Sequence, residues 1–271
     1  MIRTCESIDE LKRERPDWTP WLAPVERAIE EMENGAWDAV RARWCPQTGR
    51  APLLTNAVLE LDQGLARRVL AFDSAFETLD LLAVLQASLN RDEIRLADHA
   101  HAARSDPDAF AALAALAAKP LLHACRRLGA WRAEETWSHG YCGVCGGWPA
   151  FAEVRGVERN RYFRCGDCGD EWQASCLACP FCGSTDHEHL GSLVTNDSGA
   201  GICVEVCNGC RGYLKVFTTL RGARAAHVLL HDLATSELDI AAVERGYRRP
   251  AVAGHPLDLK LQAAAAGPLA A

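Results

Sequence analysis

Four short cysteine pairs carry the clearest chemistry in the chain: Cys142-Gly143-Val144-Cys145, Cys165-Gly166-Asp167-Cys168, Cys179-Pro180-Phe181-Cys182 and Cys207-Asn208-Gly209-Cys210. Nineteen residues separate the first pair from the second, and twenty-four separate the third from the fourth. Two thiolates three residues apart on a tight turn reach two corners of one tetrahedron, and a distant second turn fills the other two. Glycine follows three pairs directly (Gly146, Gly169, Gly183) and comes one residue later in the fourth (Gly212). A glycine there permits positive φ, so that backbone amides turn toward the sulfurs and offset thiolate charge. The expectation is two metal ions in four-cysteine sites, with Cys142, Cys145, Cys165, Cys168, Cys179, Cys182, Cys207 and Cys210 as ligands. A thioredoxin-like redox site needs only one such pair at a helix start, which fits poorly.

Consecutive pairing makes two units of knuckle plus hairpin, and it is favoured because each gap holds apolar runs suited to strands. Cross-bracing, first with third and second with fourth, is the alternative. Tetrathiolate sites suit zinc or iron equally by ligand type. Small metal modules depend on their metal for folding, so loss of one ligand pair is expected to unfold its module. Cys176 and Cys203 fall outside the pairs. Cys176-Leu177-Ala178-Cys179 forms an overlapping pair, and the plainer reading of both residues is a spare or buried thiol. Cys5, Cys45 and Cys125 read as small buried hydrophobes. His187-Glu188-His189 reads as a solvated loop rather than a further site. No Ser-His-Asp arrangement or phosphate-binding loop stands out.

The elements that must position these pairs follow from the rest of the chain, which has 271 residues, 13 cysteines, 49% apolar and 24% charged residues. That is an ordinary globular composition, with chain enough for one or two domains without disulfide staples. No run of ~18 uninterrupted apolar residues announces a membrane helix, and no apolar stretch follows Met1 as in a secretory signal, so a cytoplasmic location is expected. Three cysteines precede residue 140 and ten lie between Cys142 and Cys210. This shift predicts an α+β chain: an α-helical domain over 1–138, a first metal module over 139–175, a second over 176–220, and a helix and tail over 221–271. The helical part reads as a bundle of five or six helices. Pro24 sits near the start of Val25–Met32 and Asn34-Gly35 stops it. Val58, Leu61, Leu65 and Val69 form one helical face, and Leu79, Leu82, Leu85 and Leu89 another. Asp106-Pro107 opens a helix to Leu128, which Pro120 is expected to kink or split. Six of the tryptophans (Trp18, Trp21, Trp37, Trp44, Trp131, Trp137) fall in this part and read as core. Strands are expected at Pro149–Val154, Arg161–Arg164, Gly201–Val206 and Tyr213–Phe217, and a helix at Thr235–Arg245.

Charge weighs against nucleic acid. From Cys142 to Lys215 six basic residues face nine acidic ones, and the whole chain carries −7. Eight thiolates on two divalent ions make the module more acidic still, the opposite of a phosphate-binding footprint. Arg155, Arg159, Arg161 and Arg164 form a small basic strip whose plain reading is a solvated strand face.

Taken together these residues resemble the FdhE family of formate dehydrogenase accessory proteins. Tyr141-Cys142-Gly143-Val144-Cys145-Gly146 is close to the family's CPxCG start, with Gly143 in place of proline. Arg161-Tyr162-Phe163-Arg164-Cys165-Gly166-Asp167-Cys168, Glu171-Trp172 and Cys179-Pro180-Phe181-Cys182 follow in order. Cys207-Asn208-Gly209-Cys210-Arg211-Gly212-Tyr213-Leu214-Lys215 matches the family's CxxCxxYLK ending. Asp232-Leu233-Ala234-Thr235 and Gly246-Tyr247 fit the tail. The match spans residues 141 to 250; upstream there is a compatible helical pattern with Pro52-Leu53-Leu54. The resemblance implies two rubredoxin-like modules with iron as the metal. It also implies a cytoplasmic factor that binds the catalytic subunit of a respiratory formate dehydrogenase before export; the expectation drawn from it is a non-enzymatic accessory protein with a redox role at the iron sites. Arg161–Arg164 and Asn196–Gly201 are its candidate partner contacts. The alternatives are a zinc-ribbon nucleic-acid-binding protein, and a thiol oxidoreductase or sulfur carrier using Cys176.

Overall fold

Alternation and capping decide most of the elements. The computed structural model describes residues 7–45, 51–129, 137–175, 177–193 and 201–264. They fall into two units, one of residues 19–129 with 256–264, the other of 7–18 with 137–255. The α+β class expected from sequence is what is found, an α-helical N-terminal part followed by two four-cysteine modules.

The first unit contains α2 (Thr19–Glu33), α3 (Gln63–Leu70), α4 (Leu81–Asn90), α5 (Glu93–Ala102) and α6 (Pro107–Leu128). Aspartates cap four of these: Asp62, Asp80, Asp92 and Asp106 each accept a backbone N–H from the first turn, satisfying donors that the helix cannot. The helix opened by Asp106-Pro107 runs unbroken to Leu128, so Pro120 does not split it; α6 packs against α2, α4 and α5, and that packing outweighs one missing backbone bond. By length and composition alone α6 is apolar enough to cross a membrane, but most of that stretch is buried within the fold. Its Phe110 meets Phe76 edge-on at 5.6 Å. The helix through Val25–Met32 starts earlier than expected, at Thr19, with Pro24 inside it.

A small sheet also lies in this unit, and the helical periodicity concealed it. Val58–Leu61 is a strand, β2, with Leu59 and Leu61 buried; only Leu65 and Val69 belong to a helix. It pairs antiparallel with β1 (Arg41–Arg43) and parallel with β9 (Lys260–Ala263). Asn90 clamps the returning chain, donating to the Leu259 carbonyl (2.9 Å) and accepting from its amide (3.0 Å). Of the tryptophans read as core, Trp37 is fully buried and donates to buried Glu31, which Arg27 and Arg68 neutralise. Trp21 is exposed, and Trp131 lies outside the described residues.

The second unit holds α1 (Ile8–Glu14), α7 (Val228–Ala234), α8 (Ser236–Glu244) and six strands: β3 (Pro149–Arg155), β4 (Asn160–Cys165), β5 (Glu171–Gln173), β6 (Leu190–Leu193), β7 (Ile202–Cys207) and β8 (Tyr213–Thr219). They form one sheet in the order β5-β4-β3-β8-β7-β6. All pairs are antiparallel except β3 with β8, which run parallel with Phe151 opposite Lys215 and Val154 opposite Thr218. The two modules therefore share a sheet instead of standing as separate hairpins. Phe151, Ile202, Val204, Val206, Phe217, Val228 and Leu238 form the core beneath it.

Candidate metal centres

The cysteine pairs close local turns with similar hydrogen bonds. The amides of Gly146, Gly169 and Gly183 donate to the carbonyls of Cys142, Cys165 and Cys179 (2.9, 3.2 and 2.9 Å). The first cysteine of each pair donates to a carbonyl beyond the second, as Cys142 to Gly147 (2.8 Å) and Cys207 to Gly212 (2.9 Å). Those three glycines have φ of 67°, 70° and 72°, as the spacing predicts. The fourth turn departs from the expectation. Its left-handed residue is Arg211 (φ 60°), not Gly212. The strain is offset by the Arg211 side chain, which donates to the Arg245 carbonyl (2.8 Å) and lies 4.0 Å over the Tyr247 ring. Gly212 serves close approach: a Cβ there would sit 2.5 Å from the Phe181 ring.

These turns bring the sulfurs together in the consecutive grouping. The Sγ atoms of Cys142, Cys145, Cys165 and Cys168 all lie within 4.8 Å of one another, and so do those of Cys179, Cys182, Cys207 and Cys210. Sulfur–sulfur distances are 3.5 Å (Cys142–Cys168) and 3.4 Å (Cys145–Cys165) in the first centre. They are 3.6 Å (Cys179–Cys210) and 3.8 Å (Cys182–Cys207) in the second. A tetrahedron with metal–sulfur bonds of ~2.3 Å has edges of about 3.8 Å, so both groups fit a single ion. The Val144 and Asp167 amides approach Cys142 and Cys165 Sγ (3.4 Å each), the donors that stabilise bound thiolates. Burial pushes the Cys142 and Cys168 thiols well above the ordinary value, while Cys145 and Cys165 are lowered, helped by hydrogen bonds from neighbouring cysteines; a cation offsets the cost of gathering four thiolates here. Either group of four can hold a metal ion.

The centres differ in their cover. In the first, all four cysteines are buried at 0% exposure. Trp137 packs on Gly143 and donates to the Tyr141 carbonyl (2.6 Å), Trp172 donates to His139 (2.9 Å), and the His255 amide donates to Gly146 (3.1 Å). Trp137 thus belongs to the first metal centre, not the helical core. In the second, Cys182 is exposed and Cys210 half-buried.

Of the four arginines in the basic strip only Arg159 is exposed. Arg161 and Arg164 are buried, and each is answered by carboxylates. Arg161 is bidentate on Glu205 (2.7 and 2.6 Å), and Arg164 reaches Glu153 (3.2 Å) and Glu171 (3.1 Å). Arg155 pairs with the same Glu153 and with Glu171 (2.7 Å). The expected grouping of these arginines on one face does not hold: Arg161 and Arg164 stand three residues apart on β4, hence on opposite faces, and their partners on β3, β5 and β7 carried no local signal. These residues lock the sheet and are not open partner contacts. Of the other partner candidate, residues 196–200 lie outside the described residues, as do Cys5 and Cys176. Cys125 is buried, whereas Cys45 is exposed and donates to the Asn56 carbonyl (3.1 Å). Cys203 sits half-buried on β7, its thiol pushed up by burial. His187 and His189 are exposed, and neither joins a cysteine group.

A charge cluster that the sequence did not reveal holds the C-terminal helices to the sheet. Lys215 on β8 is 0% exposed; its Nζ contacts Asp232 (2.6 Å) and Asp239 (2.8 Å). Arg249 pairs with the same two carboxylates (2.6 and 2.9 Å), and Tyr213 donates to Asp239 (2.8 Å). Burial pushes the Tyr213 hydroxyl up to about 12. Burial alone would raise the Asp232 carboxyl; Arg249 and Lys215 outweigh it and hold it below its ordinary value. Tyr213 and Lys215 are the conspicuous residues after the fourth pair, and this is their work.

Comparison with known proteins points the same way. Residues 175–255 match the family model described as FdhE, C-terminal domain. Over 123 residues the chain is 32% identical to Protein FdhE of Escherichia coli O127:H6, covering 45% of this chain and 39% of that protein. It is 36% identical to the Protein FdhE homolog of Pseudomonas aeruginosa over 123 residues, 42% of this chain and 39% of that one. The chain thus aligns with about two fifths of the length of these curated relatives. The crystal structure of the FdhE protein from Pseudomonas aeruginosa shares the fold over 88% of each chain, with a TM-score of 0.51 and 21% identity. The resemblance to the FdhE family drawn from the cysteine pairs is borne out.

Proposed function

We propose that this chain is a non-enzymatic accessory protein in the formation of a respiratory formate dehydrogenase. It docks on the catalytic subunit in the cytoplasm before that subunit is exported. The observation that carries the reading is the match of residues 175–255 to the FdhE C-terminal domain, coupled to eight cysteines gathered into two fours. Under this reading Cys142, Cys145, Cys165 and Cys168 hold one ion, and Cys179, Cys182, Cys207 and Cys210 the other. The metal is iron or zinc; a bound ion supplies folding free energy, and iron adds a one-electron couple with which the protein adjusts the redox state of its client.

The chain's own residues do the remaining work. Glycine turns aim amides at the sulfurs, Arg164 and Arg161 lock the strands between the centres, and Lys215 anchors α7 and α8. Two experiments test the function. The tagged chain is expected to copurify with an immature formate dehydrogenase catalytic subunit, and deletion of its gene to abolish that enzyme's activity. Normal activity in the deletion strain refutes the assignment. Metal analysis with visible absorption of fresh protein separates the metals, because ferric tetrathiolate is coloured and zinc is not.

A further inference from the structure

The two centres share ligands and turn geometry but not surroundings. Every ligand cysteine of the first is sealed, and aromatic side chains and the 252–255 segment close over its turns. At corresponding positions, a Cβ on Gly146 would meet the His255 carbonyl at 2.5 Å, whereas one on Gly183 meets nothing within 4 Å. Cys182, the neighbour of Gly183, is exposed. A cavity of about 360 Å³ opens beside it, lined by Cys179, Phe181 and Cys207 with Leu190, Val206 and Leu214. This is an apolar recess with two of the ligand cysteines, Cys179 and Cys207, in its lining.

We propose that the centres divide the work: the first is a closed structural centre, and the second is an open one, where an external thiol displaces Cys182 from the metal. The inference rests on the reading of both groups as metal ligands. In the exchange, the incoming thiol's sulfur takes the position of Cys182 and its proton passes to the released Cys182 thiolate; no electrons move. The recess accommodates the apolar part of the molecule bearing the thiol. Solvent access is the physical control, because the shell around a metal site governs both ligand exchange and hydrolysis.

The test uses the full chain loaded with two equivalents of zinc. A chromogenic chelator and glutathione are added, and iodoacetamide traps released thiols for peptide mass spectrometry. One equivalent is expected to leave at least about ten-fold faster than the other, with Cys182 alkylated first among the eight ligand cysteines. Cys182→Ser is expected to lose one ion readily and keep the slow one. Release of both ions in one phase, or alkylation of Cys145 and Cys165 in step with Cys182, overturns the division. Cobalt substitution separates this failure from the other. Two equivalents with thiolate charge-transfer absorption confirm both sites, and fewer than two refute the metal reading and the division with it.

Discussion

Replacing Lys215 with methionine tests the account of the second unit most severely. The ammonium is fully buried and shares two carboxylates with Arg249, a neutral set of four charges. Lys215→Met keeps the side-chain volume but leaves Asp232 and Asp239 facing one guanidinium. Removing one partner of a buried pair costs ~3–5 kcal/mol. Because Asp232 and Asp239 remain about a quarter exposed, the lower end applies, about 3 kcal/mol. That is about a hundredfold in the folded-to-unfolded ratio. With m of ~1–3 kcal/mol per molar urea, the midpoint is expected to fall by about 1–3 M. Urea titrations of metal-loaded wild type, followed by tryptophan fluorescence, provide the assay. Lys215→Met combined with Asp239→Asn restores neutrality and is expected to recover more than half of the loss. A single variant within about 1 kcal/mol of wild type, or a double variant no better than the single one, refutes the reasoning.

Three further outcomes follow from the same structure. Burial under Phe151 lowers the His231 pKa, so the unfolded chain binds the proton more readily; the stability present above the unfolded value near ~6.5 is lost as pH falls below it. His231→Gln is expected to flatten that dependence, seen as a smaller difference in Tm between neutral and mildly acidic buffer than in wild type. Arg211→Ala keeps the left-handed strain and loses the anchors, and is expected to cost about 1–2 kcal/mol, while Arg211→Gly recovers roughly 1 kcal/mol of it in chemical denaturation. Cys145→Ser is expected to empty the first centre and, because β3 pairs with β8, to reduce hydrogen-exchange protection in β8 as well as β3; protection unchanged in β8 contradicts a shared sheet.

The knuckles were legible because their information is local: two cysteines, a spacing and a following glycine specify a turn within six residues. The strands flanking them were legible for the same reason, as apolar runs bounded by turn signals. Long-range choices were not. Nothing in Pro149–Val154 says that its free edge will take Tyr213–Phe217 in parallel. Val58, Leu61, Leu65 and Val69 fit a helical repeat and a strand-then-helix equally well, and pairing with β9 decided for the strand. Arg211 carries no glycine signal; its positive φ is bearable only because Arg245 and Tyr247 are already in place. The burial of Arg161 and Arg164 likewise depends on glutamates elsewhere in the sheet.

The pairing of β9 with β2 reverses the order in which the chain can finish folding. Ribosomes deliver residues N-terminus first, and domains usually mature in that order. Here Val58 waits for Lys260, so the helical unit lacks its third strand until residues 260–263 have been made. All strands of the cysteine sheet are complete by Thr219. The helical unit, whose β1 and β2 precede every strand of the cysteine sheet, therefore closes last, and it must hold its unpaired β2 edge in check until β9 has been made. The short three- and four-residue strands β1 and β2, with Arg41, Arg43 and Glu60 on them, suit that wait, because short, charged edges resist pairing with a second chain.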